Sequence, residues 1–235
     1  MGRAFEYRKA RKFARWDKMS KVFTRIGREI AMAVKSGGPD PNSNPRLRIV
    51  IQNAKGASMP KDRVESAIKK ASSKDEKDYE EVVYEGYAPH GIALVIETAT
   101  DNPTRTVANI RHYFNKYGGS LGTSGSLNFI FERKGIFRIA AEGIDIEELE
   151  LEIIDHGADD IRAEENEIIV TTEFTDFGAM QKALEQMGVN VISSELVRLP
   201  LSTTELTEAQ EEEVMKLIDA LEEDDDIQQV FDNIA

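Results

Sequence analysis

The spacing of apolar residues changes once along the 235-residue chain, and this change constrains the fold more than any other feature. Before the polar segment 72–77, apolar residues recur every three or four positions, which is the period of an amphipathic helix. After that segment they alternate or form short runs bounded by glycine, proline and asparagine, which is typical of strands. We therefore predict an α+β fold, with a helical N-terminal bundle followed by two α/β sandwich domains.

Three helices are predicted before the change of period. Residues 18–35 place their apolar and basic side chains on separate arcs of a helix, which ends at Gly37-Gly38-Pro39. Asn44-Pro45 predicts an N-cap followed by proline in the first helical position. Ser58-Met59-Pro60 predicts the start of the third helix. Because all three helices have basic outer residues, we expect a bundle with a positive exterior.

The next part of the chain predicts a first sheet. Residues 82–84 and 92–96 have the composition of a strand pair around Pro89-His90-Gly91. Asp101-Asn102-Pro103 predicts the start of a helix. Residues 127–131 are predicted to return as a strand.

The following segments have the order β-α-β-β-α-β, which predicts a ferredoxin-like domain. The predicted ranges are 136–141, 145–156, 159–163, 167–172, 176–187 and 189–199. An acidic helix, 208–223, and a strand, 227–231, then have no partner nearby in sequence, so we expect them to return to the first sheet. The predicted domains are therefore a basic helical domain at 1–77, an α/β domain at 78–132 plus 204–235, and an inserted ferredoxin-like domain at 133–203.

Charge divides the chain at nearly the same place as the apolar period. Residues 1–77 contain 20 Lys+Arg and 8 Asp+Glu, a net charge of +12, whereas residues 78–235 contain 10 and 35, a net charge of −25. Such asymmetry points to nucleic-acid contact by the basic part. The alternative is that the acidic part only keeps the protein soluble while the basic part docks against it.

The candidate phosphate contacts are the basic residues of the predicted N-terminal domain. Six of them lie in the segment 3–18, where aromatic residues are interleaved with them. The sequence has no helix-turn-helix spacing and no zinc finger, which favours recognition of the backbone over base readout. The candidates are Arg8, Lys9, Arg11, Lys12, Arg15, Lys18, Lys21, Arg25, Arg28, Arg46, Arg48, Lys61, Arg63, Lys69 and Lys70.

The glycine-rich segment that follows the helix at residue 103 is a second candidate for binding. It runs from helix to strand, whereas phosphate loops of nucleotide enzymes run from strand to helix and carry a lysine that is missing here. Two interpretations remain open: a binding loop whose amides face phosphate or a partner backbone, and a plain connection. The candidate loop residues are Gly118, Gly119, Ser120, Gly122, Thr123, Ser124 and Gly125.

No pattern in the sequence predicts catalysis. There is no cysteine, and His90, His112 and His156 are far apart in the sequence and form no recognisable metal-binding motif. No two carboxylates are fixed in a cleft by sequence alone. We therefore predict a protein that is not an enzyme, with no catalytic residue, metal, cofactor or small-molecule substrate. No apolar run reaches the roughly 18 residues of a membrane span, and no secretory signal is evident, so we expect a cytoplasmic protein; its oligomeric state is open.

Several motifs together resemble the YebC/PmpR family, whose mitochondrial branch is known as the translational activator of cytochrome oxidase. They are GGPDPNSNPRLR (37–48), MPKDRVESAIKKAS (59–72), YEGYAPHGIALVIE (84–97), TDNPTRT (100–106) and GGSLGTSGSLNFIFERKG (118–135). The resemblance implies three domains around a cleft, with the third inserted into the second, and a cytoplasmic location. The N-terminus differs, because MGRAFEYRKARKFAR stands where the family has His-Ser-Lys-Trp and Lys-His-Arg-Lys, although its basic character is kept.

The resemblance also implies a function. Family members are described as DNA-binding transcriptional regulators, and some act instead at the ribosome, where they help synthesis through proline runs. Our leading prediction is a DNA-binding transcriptional regulator that contacts the phosphate backbone through the basic domain. The alternatives are a translation factor bound to ribosomal RNA, and a protein-interaction module that uses the acidic helix 208–223.

Overall fold

The computed structural model describes residues 19–73 and 78–235. Its fold is α+β, with helices in the N-terminal part and two antiparallel sheets after it, which confirms the predicted class. Among these residues no helix is long and apolar enough to cross a membrane. In chain order the elements are α1 (Met19–Gly37), α2 (Pro45–Gly56), α3 (Lys61–Ala71), β1 (Glu80–Tyr87), β2 (Ala93–Thr100), α4 (Pro103–Lys116), β3 (Ser120–Leu121), β4 (Phe131–Ala140), α5 (Ile146–Ile153), β5 (Ala158–Glu164), β6 (Glu167–Glu173), α6 (Phe177–Met187), β7 (Val191–Pro200), α7 (Glu208–Glu222) and β8 (Ile227–Asp232).

Helices α1, α2 and α3 form a bundle around a small apolar core that includes Ile30 and Leu47, both fully buried. Asn44 joins the end of α1 to the start of α2. Its side chain accepts a hydrogen bond from the Leu47 amide at 3.0 Å and donates to the carbonyl oxygens of Ala33 and Gly38 at 2.7 and 2.8 Å. The N-cap predicted from Asn44-Pro45 is therefore present, and it also fixes the angle between two helices.

The first sheet has the strand order β3-β1-β2-β8, and α4 and α7 pack together on one face of it. Asn102 caps α4 by accepting from the Arg105 amide at 3.1 Å, as its sequence predicts. Strand β8 pairs with β2 in antiparallel register, with Phe231 opposite Val95. The C-terminal segment thus returns to the first sheet, whereas the domain boundaries at residues 77, 132 and 203 stay predictions.

The second sheet has the order β5-β6-β4-β7 and is antiparallel throughout. Helices α5 and α6 cover one face, where Phe137 stacks on Phe177 with ring centroids 4.8 Å apart. This is the strand order of the predicted ferredoxin-like arrangement.

The strand predicted at residues 127–131 is wrong: residues 124–130 form turns, and β4 begins at Phe131. The buried Glu85 carboxylate accepts hydrogen bonds from the amides of Gly125 and Leu127 at 2.9 and 2.7 Å. The amides of Ile130 and Phe131 bond back to the Leu127 carbonyl oxygen. Because these donors are already satisfied, the segment turns instead of pairing with a strand.

The N-terminal bundle contacts the second sheet through α2. The Asn53 side chain exchanges two hydrogen bonds of 2.8 Å with the backbone of Ser194 in the edge strand β7. A Cβ atom at Gly56 would lie 2.3 Å from the Ile192 carbonyl oxygen, so only glycine permits this approach. Asn53 therefore occupies positions that a further strand would take, and it fixes the bundle on the edge of the sheet.

Candidate nucleic-acid interface

The cationic side of α1 lies against the C-terminal end of α7 and the residues that follow it. Lys21 donates to the carbonyl oxygen of Glu223, and Arg25 donates to that of Glu222 at 3.0 Å. Burial lowers the pKa of Arg25 below its ordinary value, and the nearby Glu222 carboxylate partly opposes this shift. The predicted contacts on α1 are therefore engaged within the molecule.

Asp226 is the centre of this contact, and its side chain is only 4% exposed. One carboxylate oxygen accepts from Arg28 at 2.8 Å, and the other accepts from Arg105 of α4 and from the Thr106 hydroxyl, both at 2.7 Å. We call Arg28, Asp226 and Arg105 the Asp226 junction.

Burial alone would raise the pKa of Asp226, but the hydrogen bonds from Arg105, Arg28 and Thr106 outweigh burial and lower it. The hydrogen bonds that Arg105 donates to Asp226 and to Asp101 raise the pKa of Arg105. The junction is consequently charged at neutral pH, with its carboxylate bound from two parts of the chain.

Arg28 has two more contacts. Its guanidinium donates to the carbonyl oxygen of Ala99 at 2.5 Å and lies 5.2 Å from the ring centroid of Tyr79. The contact of Lys21, Arg25 and Arg28 with phosphate stays a prediction, and it requires these side chains to leave the contacts described here.

The two arginines predicted on α2 also bridge to other parts of the molecule. Arg46 forms an exposed ion pair with Glu81 of β1. Arg48 lies 3.3 Å from the Glu185 carboxylate of α6 and donates to the carbonyl oxygen of Pro41 at 2.9 Å. Both remain partly accessible, and their role in binding stays a prediction.

Helix α3 carries its predicted cations on the outer surface. The Lys61 side chain is 91% exposed and lies 3.6 Å from the Glu65 carboxylate, an exposed pair of little strength. Arg63 lies 5.7 Å from the ring centroid of Phe23. The exposed cations of α3, together with Lys55 at the end of α2, form what we call the α3 surface: Lys55, Lys61, Arg63, Lys69 and Lys70.

The remaining predicted cations are Arg8, Lys9, Arg11, Lys12, Arg15 and Lys18, and they lie outside the described residues. Their contact with phosphate stays a prediction.

The glycine-rich loop has two parts with different surroundings. A Cβ atom at Gly119 would lie 2.7 Å from the Tyr87 carbonyl oxygen, and Ser120 pairs with Tyr87 in the first sheet, so this part serves packing. The outer part is exposed, and Gly125 has a φ of +86°, a left-handed conformation that favours glycine. Gly118 also has a positive φ, and Gly122, Thr123 and Ser124 are exposed with Gly125. Ligand binding by this loop stays a prediction.

A carboxylate cluster lies where α1 meets both sheets. Burial raises the pKa of Glu29 to about 7, and the Glu195 and Glu81 carboxylates raise it further, whereas Arg46 and Arg25 partly oppose the shift. Among residues 19–73 and 78–235, no group of three or more His, Cys, Asp or Glu side chains is arranged to hold a metal ion. Glu29 therefore has a protonation equilibrium near neutral pH at the contact between α1 and the two sheets.

The sequence predicted the cations of α1 as phosphate contacts but did not identify the acidic residues that bind them within the molecule. The signal was present, because Glu222 to Asp226 is an uninterrupted run of five acidic residues. Such a run attracts a cationic helix, but a separation of 198 residues between Arg28 and Asp226 hides the pairing from local sequence patterns.

Comparison with known proteins covers almost the whole chain. The family model described as the TACO1/YebC protein N-terminal domain matches residues 3–74, and the one described as the TACO1/YebC second and third domain matches residues 79–234. The chain is 59% identical to a protein of Flavobacterium johnsoniae over 231 residues, which cover 98% of each chain. It is 55% identical to a protein of Myxococcus xanthus over 240 residues, which cover 100% of each.

Both of these relatives are named "probable transcriptional regulatory protein". The structure is similar to the crystal structure of a conserved hypothetical protein from Aquifex aeolicus, with a TM-score of 0.77 and 41% sequence identity. That match covers 92% of this chain and 90% of the other.

Proposed function

The chain belongs to the TACO1/YebC family, and from this premise we propose that it is a nucleic-acid-binding regulator of gene expression. In this proposal it is a DNA-binding transcriptional regulator that contacts the phosphate backbone through its N-terminal domain. It acts in the cytoplasm, without a cofactor and without catalysis. The observation that carries the proposal is the α3 surface, where cations stand exposed on a bundle attached to a strongly acidic body.

The α3 surface has the chemistry of a backbone contact. Four of its five cations lie on α3, which has only two acidic residues, Asp62 and Glu65, so that the local charge is positive. Lysine ammonium and arginine guanidinium groups bind phosphate oxygens and release condensed counterions. The body at residues 78–235 repels the same polyanion, which favours the orientation that presents α3.

The names of the relatives support the transcriptional form of the proposal, because they describe probable transcriptional regulators. The chemistry of the surface also supports a second form, a translation factor on ribosomal RNA. Lys61, Lys69 and Lys70 are point charges that recognise phosphates of either polymer without reading bases. The two forms differ in the nucleic acid that is bound in the cell.

The binding itself is tested by removing two cations at a time from full-length protein. We expect Lys61→Gln/Lys69→Gln to weaken binding to duplex DNA or ribosomal RNA and to reduce the salt slope by about 2, one unit for each phosphate that is no longer neutralised. The matched control is Lys182→Gln/Lys216→Gln, which removes two exposed lysines from the acidic body. Equal binding by the two double variants would rule out the α3 surface as the interface.

The polymer is identified by ultraviolet crosslinking in cells, followed by sequencing of the attached nucleic acid. Crosslinks at promoters support the transcriptional form, and crosslinks confined to ribosomal RNA support the translational form. Recovery of neither polymer above the level of the Lys61→Gln/Lys69→Gln variant would contradict the proposed function.

A further inference from the structure

The five acidic residues that receive the cations of α1 are fixed to the first sheet and its helices. We call these residues, 222–226, the acidic run. The Asp224 carboxylate accepts hydrogen bonds from the Asn109 side-chain amide and the Tyr113 hydroxyl of α4, at 3.0 and 3.2 Å. Strand β8 follows the run directly and pairs with β2. The acidic run is therefore held in place by contacts that do not involve α1.

Asp226 has three further donors besides Arg28. Arg105 and the Thr106 hydroxyl both donate to its carboxylate at 2.7 Å, and the Thr100 hydroxyl donates at 3.2 Å. A large part of the cost of breaking a buried ion pair is the charge that is left without a partner. Because these donors all belong to the first sheet and α4, the carboxylate remains bound when Arg28 leaves, and that cost is reduced.

The contact between α1 and the acidic run is polar. Its α1 side consists of the ends of three long side chains, Lys21, Arg25 and Arg28. Among the residues that the structure describes, the apolar core of the bundle and that of the first sheet have no member in common. Since cationic groups form the same kind of hydrogen bond with another anion, this contact can be exchanged for a polyanion without separating an apolar core.

The three cations of α1 are spaced for a phosphate backbone. Positions i, i+4 and i+7 lie on one face of a helix, and they span about 10 Å along its axis. A single DNA strand presents a phosphate about every 3.4 Å along the duplex axis, so this span covers about three phosphates. The cations are bound to two carbonyl oxygens and one carboxylate oxygen, which accept the same N–H groups as phosphate oxygens do.

We propose that the acidic run is an internal competitor of nucleic acid. It binds the cationic side of α1 in the free protein, and a phosphate backbone displaces it, which adds α1 to the interface formed by the α3 surface. This inference rests on the proposed function and adds regulation to it, because the affinity depends on how firmly the run binds α1. The bundle stays attached to the second sheet through Asn53 while α1 moves away from the run.

The displacement is tested by a distance measurement in full-length protein. The chain has no cysteine, so Thr24→Cys/Lys216→Cys attaches nitroxide labels only at one exposed position of α1 and one of α7. Electron paramagnetic resonance then measures the distance between the labels, in free protein and with duplex DNA or duplex RNA. We expect the distance to increase when the polymer that binds is saturating. The matched control, Arg111→Cys/Lys216→Cys, has both labels on helices of the first sheet and should show no change.

The competition is tested by fluorescence anisotropy with the same two duplexes. Asp226→Asn weakens the hold on Arg28, and we expect it to tighten binding about tenfold at low salt. Asp225→Asn removes one charge from the same run at an exposed position and should change the affinity less than about twofold. In the Asp226→Asn protein, Arg25→Gln should weaken binding about threefold, because Arg25 then contributes mainly to the bound state. In the unmodified protein the same substitution removes a contact from both the docked and the bound state, and the two losses largely offset each other.

Circular dichroism verifies the fold of each variant, and the label distance decides if Asp226→Asn does not fold. The inference is wrong if that distance stays the same in the saturated complex, or if folded Asp226→Asn binds no better than Asp225→Asn. If Lys61→Gln/Lys69→Gln still weakens binding in either case, the proposed function stands without this inference. If neither duplex binds the unmodified protein or Asp226→Asn, the proposed function itself fails.

Discussion

Helices α1 and α3 belong to the same basic bundle, but their cations have opposite environments. Lys21, Arg25 and Arg28 of α1 are bound to carbonyl and carboxylate oxygens near the end of α7. Lys61 and Lys69 of α3 face solvent. The comparison shows that the number of cations on a helix does not determine how many are available to a ligand, because an acidic segment of the same chain competes for them.

The difference also reconciles two interpretations of the charge asymmetry. The sequence left open either nucleic-acid contact by the basic part or its docking on the acidic part. In the structure α1 docks and α3 does not, so each interpretation describes one face of the same bundle. The bundle has its orientation fixed by α1 and by the Asn53 contact of α2, and this orientation leaves α3 outward.

We expect the largest effect on the free energy of unfolding from the loss of the Asp226 junction. Asp226→Asn removes the charge that two arginines share in a buried position, and we expect a decrease of about 3 kcal/mol in the free energy of unfolding, measured by urea denaturation. Asp225→Asn is the matched control because Asp225 is exposed, and it should change the free energy by less than about 0.5 kcal/mol. Equal stability of the two variants would show that α1 is not held by this carboxylate.

The second-largest effect is a pH dependence of the free energy of unfolding, and it arises from Glu29 of α1. Its pKa of about 7 in the folded protein lies above the ordinary value of 4.5. Between these values the folded protein binds a proton that the unfolded chain has released. Stability should therefore fall as pH rises from about 4.5 to 7, by about 2 kcal/mol for a partly exposed group, and stay level above that range.

Glu29→Gln should remove this slope, since glutamine stays neutral, and should exceed the unmodified protein in stability at pH 8. Glu65→Gln, at an exposed glutamate of α3, should keep the slope. Urea denaturation across the pH range measures both variants. An unchanged slope in Glu29→Gln would mean that the carboxylate cluster at the meeting of α1 with both sheets is ionised throughout.

Most of the fold followed from local sequence signals. Asn44 and Asn102 mark helix starts because their side chains accept from amides three residues ahead, and this geometry needs no distant partner. The ferredoxin-like order followed from the alternation of strand and helix periods. These features are encoded within a few residues of where they act.

The features that the sequence did not predict depend on distant side chains. The turn at 124–130 is held by Glu85, which lies 40 residues before Gly125. The docking of α1 depends on Asp226, which lies 198 residues after Arg28 in the sequence. Sequence patterns therefore say least about whether a candidate site residue is free to contact a ligand, because tertiary contacts decide this.

A moderate effect is expected on binding, and it compares α1 and α3 directly. Lys61→Gln/Lys69→Gln should weaken nucleic-acid binding about tenfold at low salt without changing the free energy of unfolding, because both side chains are exposed. Arg25→Gln should do the reverse and lower stability by about 1 kcal/mol, since it loses the hydrogen bond to the Glu222 carbonyl oxygen. The two measurements are salt-dependent anisotropy and urea denaturation. The proposed difference between the cations of α1 and α3 is wrong if Arg25→Gln weakens nucleic-acid binding as much as the α3 variant does.

The smallest effect is expected at Lys21, the outermost of the three α1 cations. Its ammonium group donates to the Glu223 carbonyl oxygen at the exposed rim of the contact, so Lys21→Gln should lower the free energy of unfolding by about 0.5 kcal/mol or less. Because salt screens an exposed contact, this difference should disappear at high ionic strength, whereas the effect of Asp226→Asn should persist. A Lys21 effect that survives high salt would place this cation in the buried part of the contact, and the docked face of α1 would then extend to the start of the helix.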